Sequence, residues 1–315
     1  MNIEAFLAAH GWADAARLAM TPDASSRSYI RLLRDGDSAI LMQDPDGDVA
    51  LFARLAEYLC GLGLSAPRIL AMAPEAGLML LEDLGDGLFA RVAQARSGQE
   101  PALYAAAGQA LAHLHRAAPA TGLTEATPAL LAQMVAPVFD FYSPATPEPD
   151  RAALTEALHA ALARHAAAAD VTILRDFHAE NLLWLPDRAG PARTGLLDFQ
   201  DALQGHRAYD MVSLLHDARR AVSEAAEEAA LAAYLQASGQ AAGPYCAAMM
   251  VLGVQRNLRI LGIFARLADQ RGKPGYLRLM PRVWQHIQRE LEHPALAEVA
   301  PLLRRAVPAP VGQAA

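Results

Sequence analysis

In the segment ILRDFHAENLLWL (173–185), Asp176 and Asn181 stand five positions apart between the apolar runs 173–174 and 182–185. A carboxylate set against buried flanks is costly unless it is paired, metal-bound or used in chemistry. A second acid follows: after the turn PDRAGPA (186–192), the stretch RTGLLDF (193–199) ends in Asp198. One arrangement uses all three residues. An aspartate on a loop accepts the hydrogen bond of a reacting hydroxyl, and an asparagine five residues on holds a divalent cation. A further aspartate, beyond the next hairpin, binds the Mg²⁺ that bridges nucleotide phosphates. These groups must converge on one phosphoryl group, and a loop entering a β-hairpin brings both ends of that hairpin to one edge.

An Asp–Asn spacing alone is a weak signal, whereas R-D-x-x-x-x-N, an apolar strand and L-L-D-F in that order form a specific one. His178 and Glu180 lie inside the same segment, but His178 lacks a second histidine at ligand spacing. Mg²⁺ chemistry uses oxygen donors, so both residues read as loop-shaping. His206 and His216 read as capping or packing residues. No nucleophile elbow, P-loop or dinucleotide fingerprint is present, so the corresponding hydrolase, ATPase and dehydrogenase classes lack support.

The elements that must position this chemistry divide the chain in two. Strand-like SYIRLLR (28–34) and SAILMQ (38–43) flank a turn, residues 48–61 carry helical periodicity, and RILAMA (68–73) and the start of GLMLLEDLGDG (77–87) read as further strands. After residue 88 the texture becomes helical over 101–117, 128–141, 151–168, 207–220, 222–237, 243–269 and 276–292, with SPATPEPD (143–150) a proline-rich loop. The polar hairpin 171–198 interrupts it, and the tail from 309 reads as frayed. The expected architecture is α+β: a small β-rich lobe (1–84) and a larger α-helical lobe (85–315).

Composition fits a well-packed globular chain of 315 residues, 53% hydrophobic and 19% charged. A net charge of −7 argues against a broad nucleic-acid or anionic-membrane surface, which needs clustered cations. Lys273 is the only lysine, so a role that usually falls to lysine must fall elsewhere. Cys60 and Cys246 are far apart and read as small buried hydrophobes. No secretory signal and no uninterrupted apolar run of about 18 residues is visible, so a cytoplasmic protein is expected.

LRDFHAENLLWL together with GLLDFQDALQGHRAYDMVSLLHDARR resembles the aminoglycoside phosphotransferase/choline kinase group, which has the protein-kinase-like fold. Adding DASSRSYIRL, LLEDLGD and VQRNLRILGIFARLADQRGKPGYLRLMPRVW, the chain is most similar to the bacterial N-acetylmuramate/N-acetylglucosamine anomeric kinases of cell-wall recycling. The resemblance implies a bilobal fold, ATP and Mg²⁺ as cofactors, and a small sugar as partner. It implies Asp176 as catalytic base and Asn181 and Asp198 as metal ligands. It further implies a hinge at Glu82, Asp83 and Leu84, whose backbone binds adenine.

The chain departs from the family pattern in two places. The catalytic loop reads Leu174-Arg175-Asp176 where His-Gly-Asp is usual, and Met42 stands near the expected place of the phosphate-binding lysine. Arg27 or Arg31, flanking the first strand of the hairpin, could take over that charge through a planar fork. Glu57, the only glutamate of the helix 48–61, then has no lysine to pair with. For the acceptor, Asp217, Arg219, Arg220, Arg256, Asn257 and Arg259 lie on the segments expected to be helical after the catalytic hairpin. Arg256, Arg259 and Arg266 share one helical face, where an arginine could meet the lactyl carboxylate of N-acetylmuramate. Two other readings stay open: a kinase for an aminoglycoside, choline or homoserine-like acceptor, and a nucleotide-binding pseudokinase-like module.

Overall fold

The computed structural model describes residues 2–20, 27–45 and 48–310. Residues 23–26 of DASSRSYIRL and the tail 311–315 lie outside the described residues. The chain divides into two compact units, Met1–Ser97 with Glu180–Asp201, and Gly98–Ala179 with Ala202–Ala315. The boundary read at 84/85 falls inside the first unit, which extends to Ser97 and recruits the hairpin that ends in Asp198.

The first unit is built on five antiparallel strands, β1 (Ala16–Ala19), β2 (Ser28–Arg34), β3 (Asp37–Gln43), β4 (Ile69–Ala73) and β5 (Leu78–Glu82), in the order β1-β2-β3-β5-β4. β3 is central, and its residues from Ala39 to Met42 are all buried, as a strand covered on both faces requires. One face is closed by α1 (Ile3–Ala9), whose Phe6 and Leu7 pack with Trp12, Leu32, Leu41, Leu78 and Leu80. The helix α2 (Val49–Gly61) is started by Asp48, whose carboxylate accepts the Leu51 N–H at 2.8 Å, and it buries Phe52, Leu55 and Leu59. Helix α3 (Phe89–Ala95) packs Phe89 edge-on against Trp184.

The hairpin Leu182–Trp184/Thr194–Leu196 belongs to this unit through main-chain and side-chain bonds. The Leu196 N–H donates to the Ser65 carbonyl, the Trp184 N–H donates to the Gly87 carbonyl, and the Ser65 hydroxyl donates to the Ala192 carbonyl. Arg188 then ties the hairpin turn to the Ser65 hydroxyl and to Glu82. These bonds give the physical reason that the hairpin clusters with the sheet.

The second unit is helical: α4 (Glu100–Leu114), α5 (Pro128–Gln133), α6 (Glu148–His165), α7 (Tyr209–Leu215), α8 (Glu224–Ser238), α9 (Ala242–Gln270), α10 (Met280–Leu291) and α11 (Val299–Ala306). A two-stranded ribbon, Val171–Ile173 with Leu203–Gly205, brackets the insertion that forms the hairpin of the first unit. Its helices are alanine-rich because they approach closely; a Cβ on Gly108 of α4 would lie 2.4 Å from the Ala230 carbonyl of α8. By length and composition α9 could cross a membrane, yet 72% of its most apolar window is buried inside the protein, as in a core helix.

Three helical expectations are corrected. The stretch 128–141 splits into α5 and a π-helical turn, Val138–Tyr142, because Pro137 cannot continue the hydrogen-bond ladder. The stretch 207–220 forms a helix only as far as Leu215, and Asp217 lies beyond it. There its carboxylate accepts the Arg219 N–H at 2.8 Å, a local bond that competes with helix. The stretch 276–292 begins with a 3-10 turn, Pro274–Leu279, ahead of α10.

Candidate active site

Asp176 lies on the loop that leaves the strand Val171–Ile173, and the loop is held from beneath. Asp210 of α7, completely buried, accepts the backbone N–H of Leu174 at 2.7 Å and of Arg175 at 2.8 Å. Arg175 takes a left-handed backbone, φ 69°, which an L-residue with a long side chain adopts only under constraint. Asp210 supplies that constraint. Burial pushes its carboxyl up to about 7, against the pull of the two backbone N–H groups and Arg256. Sequence reasoning missed Asp210, since its partners are backbone groups that leave no motif.

His178, on the same loop, is buried and held neutral, because burial and the charges of Arg219 and Arg256 push its pKa well down. Its Nε2 lies 3.2 Å from an Arg219 guanidinium nitrogen. The loop-shaping reading of His178 agrees with this placement, and Arg219 is the partner that the sequence left unassigned.

In the first unit, Asn181 and Asp198 stand at the two ends of the hairpin. The Asn181 amide donates to Asp198 Oδ2 at 3.3 Å, and the Leu197 N–H donates to the Asn181 carbonyl at 3.0 Å. Asp198 also has left-handed backbone, φ 57°, and this turns its carboxylate toward Asn181, Gln200 and Arg27. Phe199, next along, is buried against Phe52 of α2 with ring centroids 4.8 Å apart, which anchors the turn. The oxygen donors on Asn181 and Asp198 suit a hard divalent cation that keeps waters and phosphate oxygens as its other ligands. A cation already sits on this carboxylate: the Arg27 guanidinium is 3.2 Å from Asp198 Oδ1 and 3.2 Å from Asp44 Oδ2. No cluster of three or more His, Cys, Asp or Glu with metal-binding geometry occurs among the described residues.

The two candidate arginines separate here. Arg31 is engaged by both Asp83 and Asp86, with contacts of 2.7 to 3.0 Å, so its charge is already matched by two carboxylates. Arg27 instead pairs with Asp44 and with Asp198, the acid read as a metal ligand. Met42 is completely buried in β3 opposite Tyr29 and has no charge to offer a phosphate. Glu57 is exposed on α2. The Glu82 carboxylate is taken up by Arg68 and Arg188, while Asp83 also accepts the Gly85 N–H, so that the side chains at the end of β5 shape the segment through Leu84.

The acceptor candidates fall into two kinds. Asp217 and Arg256 are buried, yet Asp217 Oδ2 and one Arg256 guanidinium nitrogen have no partner among the described residues. Arg256 donates through its other terminal nitrogen to the Ser213 hydroxyl at 2.8 Å. Arg220 is engaged by Glu100 and the Tyr104 hydroxyl. Asn257 is spent internally: it is completely buried and its amide donates to Glu290 at 2.7 Å, beside the bond of 2.6 Å from Glu290 to His216. The buried Glu290 fits beneath α9 because residue 253 is glycine; a Cβ there would lie 2.3 Å from its carboxylate.

A small antiparallel-sheet unit and a larger helical unit, on a chain carrying Asp176, Asn181 and Asp198 in motif order, match a phosphotransferase class of protein. The chain belongs to the APH phosphotransferase enzyme family, whose model matches residues 19–247. Over 96% of its length it is 39% identical to an N-acetylmuramate/N-acetylglucosamine kinase of Caulobacter vibrioides, covering 95% of that protein. A protein of the same name from Pseudomonas aeruginosa is 31% identical over 94% of this chain and 90% of its own. Among solved structures, a choline/ethanolamine kinase family protein from Mesorhizobium loti superposes with a TM-score of 0.65 at 16% identity, covering 91% of this chain and 92% of that one. The protein-kinase-like α+β fold read from the sequence is borne out, as is the family.

Proposed function

We propose that the protein is an ATP- and Mg²⁺-dependent kinase that phosphorylates the anomeric hydroxyl of N-acetylmuramate or N-acetylglucosamine in the cytoplasm, as a step of peptidoglycan recycling. One observation carries the reading: the full-length likeness to relatives named for this activity, on a chain that keeps Asp176, Asn181 and Asp198 in motif order. Asp176 accepts the hydrogen of the acceptor hydroxyl as its oxygen attacks the γ-phosphorus and the bond to the ADP oxygen breaks. Asn181 and Asp198 hold Mg²⁺, which when bound neutralises charge that develops on the phosphate oxygens. Arg27 takes the lysine's part as the phosphate-binding cation, and the backbone of Glu82 to Leu84 receives the adenine. Asp217, Arg219 and Arg256 serve the sugar. The protein thus contributes position and fixed charge, with little covalent chemistry of its own.

A coupled assay of ADP release across an acceptor panel tests this reading. Turnover with the two amino sugars should exceed that with an aminoglycoside, choline or homoserine by at least about 100-fold, a gap of roughly 3 kcal/mol in transition-state binding. Preferred turnover of another acceptor would reassign the substrate. Mg²⁺-independent nucleotide binding without any turnover would contradict the enzyme reading altogether.

A further inference from the structure

Among the described residues, arginines without a partner are exposed to solvent, as Arg54, Arg91, Arg96, Arg271, Arg278 and Arg304 are, whereas those drawn into the protein are generally answered by another group. In the second unit, Arg220 meets Glu100 and Tyr104, Arg207 meets Asp170, Arg289 meets Glu227, and Arg305 meets Asp150. One face of α9 breaks that pattern. Arg256 and Arg259 are three residues apart and so share a helix face. Arg256 is 6% exposed and keeps one terminal nitrogen buried and unpartnered. Arg259 is half-buried, and no hydrogen bond, ion pair or ring contact joins its guanidinium to any of the described residues.

Burial makes a guanidinium without a direct partner costly. The charges that Arg259 feels are those of Arg175, Tyr209, Asp176 and Arg256. Burial first, and then the positive Arg175, lower its pKa, with Arg256 adding to that effect. Arginine nonetheless remains charged. The buried acids Asp210, Asp217 and Glu290 all feel the charge of Arg256. Asp176 acts on Arg259 without a hydrogen bond or ion pair, so the desolvated Arg259 guanidinium is the one left without a direct partner among the described residues. Planar guanidinium forks match carboxylates in a bidentate manner.

We propose that Arg259, with Arg256 beside it, is the recognition site for a carboxylate on the acceptor, and that it favours an amino sugar bearing an acidic ether arm over its neutral counterpart. This rests on the kinase reading above. In N-acetylmuramate the lactyl ether stands two ring carbons from the anomeric carbon, whose hydroxyl must meet Asp176. A group that recognises its carboxylate therefore has to sit near that base, and Arg259 lies within the electrostatic reach of Asp176. N-acetylglucosamine has no such arm and leaves the Arg259 guanidinium without a direct partner.

The test is steady-state kinetics with N-acetylmuramate, its uncharged methyl ester and N-acetylglucosamine, on the wild type, Arg259→Gln and Arg259→Lys. In the wild type, kcat/KM for the acid should exceed that for the ester by about 10- to 100-fold, the worth of one charge-assisted contact. Arg259→Gln should erase most of that ratio through KM for the acid, and Arg259→Lys should restore part of it. A wild type that uses acid and ester equally well overturns the proposal without any variant. An equal fall in kcat on both sugars in Arg259→Gln overturns it too, because Arg259 would then serve the phosphoryl group. Turnover of neither sugar by the wild type would instead overturn the kinase's acceptor assignment, and this site with it.

Discussion

The loop of Asp176 and the turn of Asp198 both depend on left-handed backbone at a residue other than glycine, Arg175 in one and Asp198 itself in the other. Such a residue costs about 1–3 kcal/mol and persists only where its surroundings impose it. They are held by opposite means. Beneath the Asp176 loop the clamp is a completely buried carboxylate that grips two backbone N–H groups, out of reach of solvent or ligand. Around Asp198 the bracket consists of side chains, Arg27, Asn181 and Gln200, on a carboxylate that keeps 30% of its side-chain surface exposed. The difference teaches that the Asp176 loop is fixed by buried main-chain bonds, whereas Asp198 is held by side chains on a partly exposed carboxylate.

Four changes break or sharpen that contrast. The largest effect is expected at Asp176, the proposed base: Asp176→Asn should lower kcat by about 10²- to 10⁴-fold, the usual worth of general-base catalysis. Nucleotide affinity measured by calorimetry should hold, because the turn of Asp198, the proposed metal ligand, is intact; a lost affinity would mean that the two regions do not act separately. Next comes the clamp. Asp210→Ala leaves two buried N–H groups without an acceptor, at roughly 1–3 kcal/mol each, so a thermal melt should fall and kcat with it. An unchanged melt would remove Asp210 from its role.

The clamp also predicts a pH dependence. Asp210 binds protons more tightly folded, near 7, than its ordinary value of 3.8. Between those values the folded state therefore carries more protons than the unfolded one. Asp210's contribution to stability is full below pH 4 and declines as pH rises through about 7. Relative to Asp210→Asn, the wild type should lose stability across that window in denaturant titrations, and a flat difference would contradict the buried clamp.

The third change is smaller. Arg27→Gln should weaken nucleotide binding by about tenfold, one charge-assisted bond, with Arg27→Lys recovering part. Glu57→Gln is the smallest: the residue is exposed and faces no lysine, so kcat/KM should stay within about twofold, the range of ordinary surface changes.

What the sequence disclosed follows from where each signal resides. Asp176, Asn181 and Asp198 are legible because their chemistry fixes residue type and spacing together. β2, β3, β5 and α2 are legible from alternation and periodicity. β1 was missed since ARLA is exposed along its whole length and shows no alternation. α3 and α11 were missed because each is short and lies beside polar or proline-rich sequence. The grouping of the hairpin with the first unit was not legible for a different reason: the bonds of Ser65, Gly87 and Arg188 to the hairpin are long-range and have no local signature. Arg27 and Arg31 look alike in sequence, and only the positions of Asp44, Asp83, Asp86 and Asp198 tell them apart.

The central claim is a phosphoryl transfer to one hydroxyl of an amino sugar, and the position of the phosphate in the product tests it most directly. Phosphorus–proton correlation NMR on the product formed from MgATP and N-acetylmuramate should place the phosphorus on the anomeric carbon. Phosphate on any other hydroxyl, or release of inorganic phosphate with no sugar ester formed, would contradict the account.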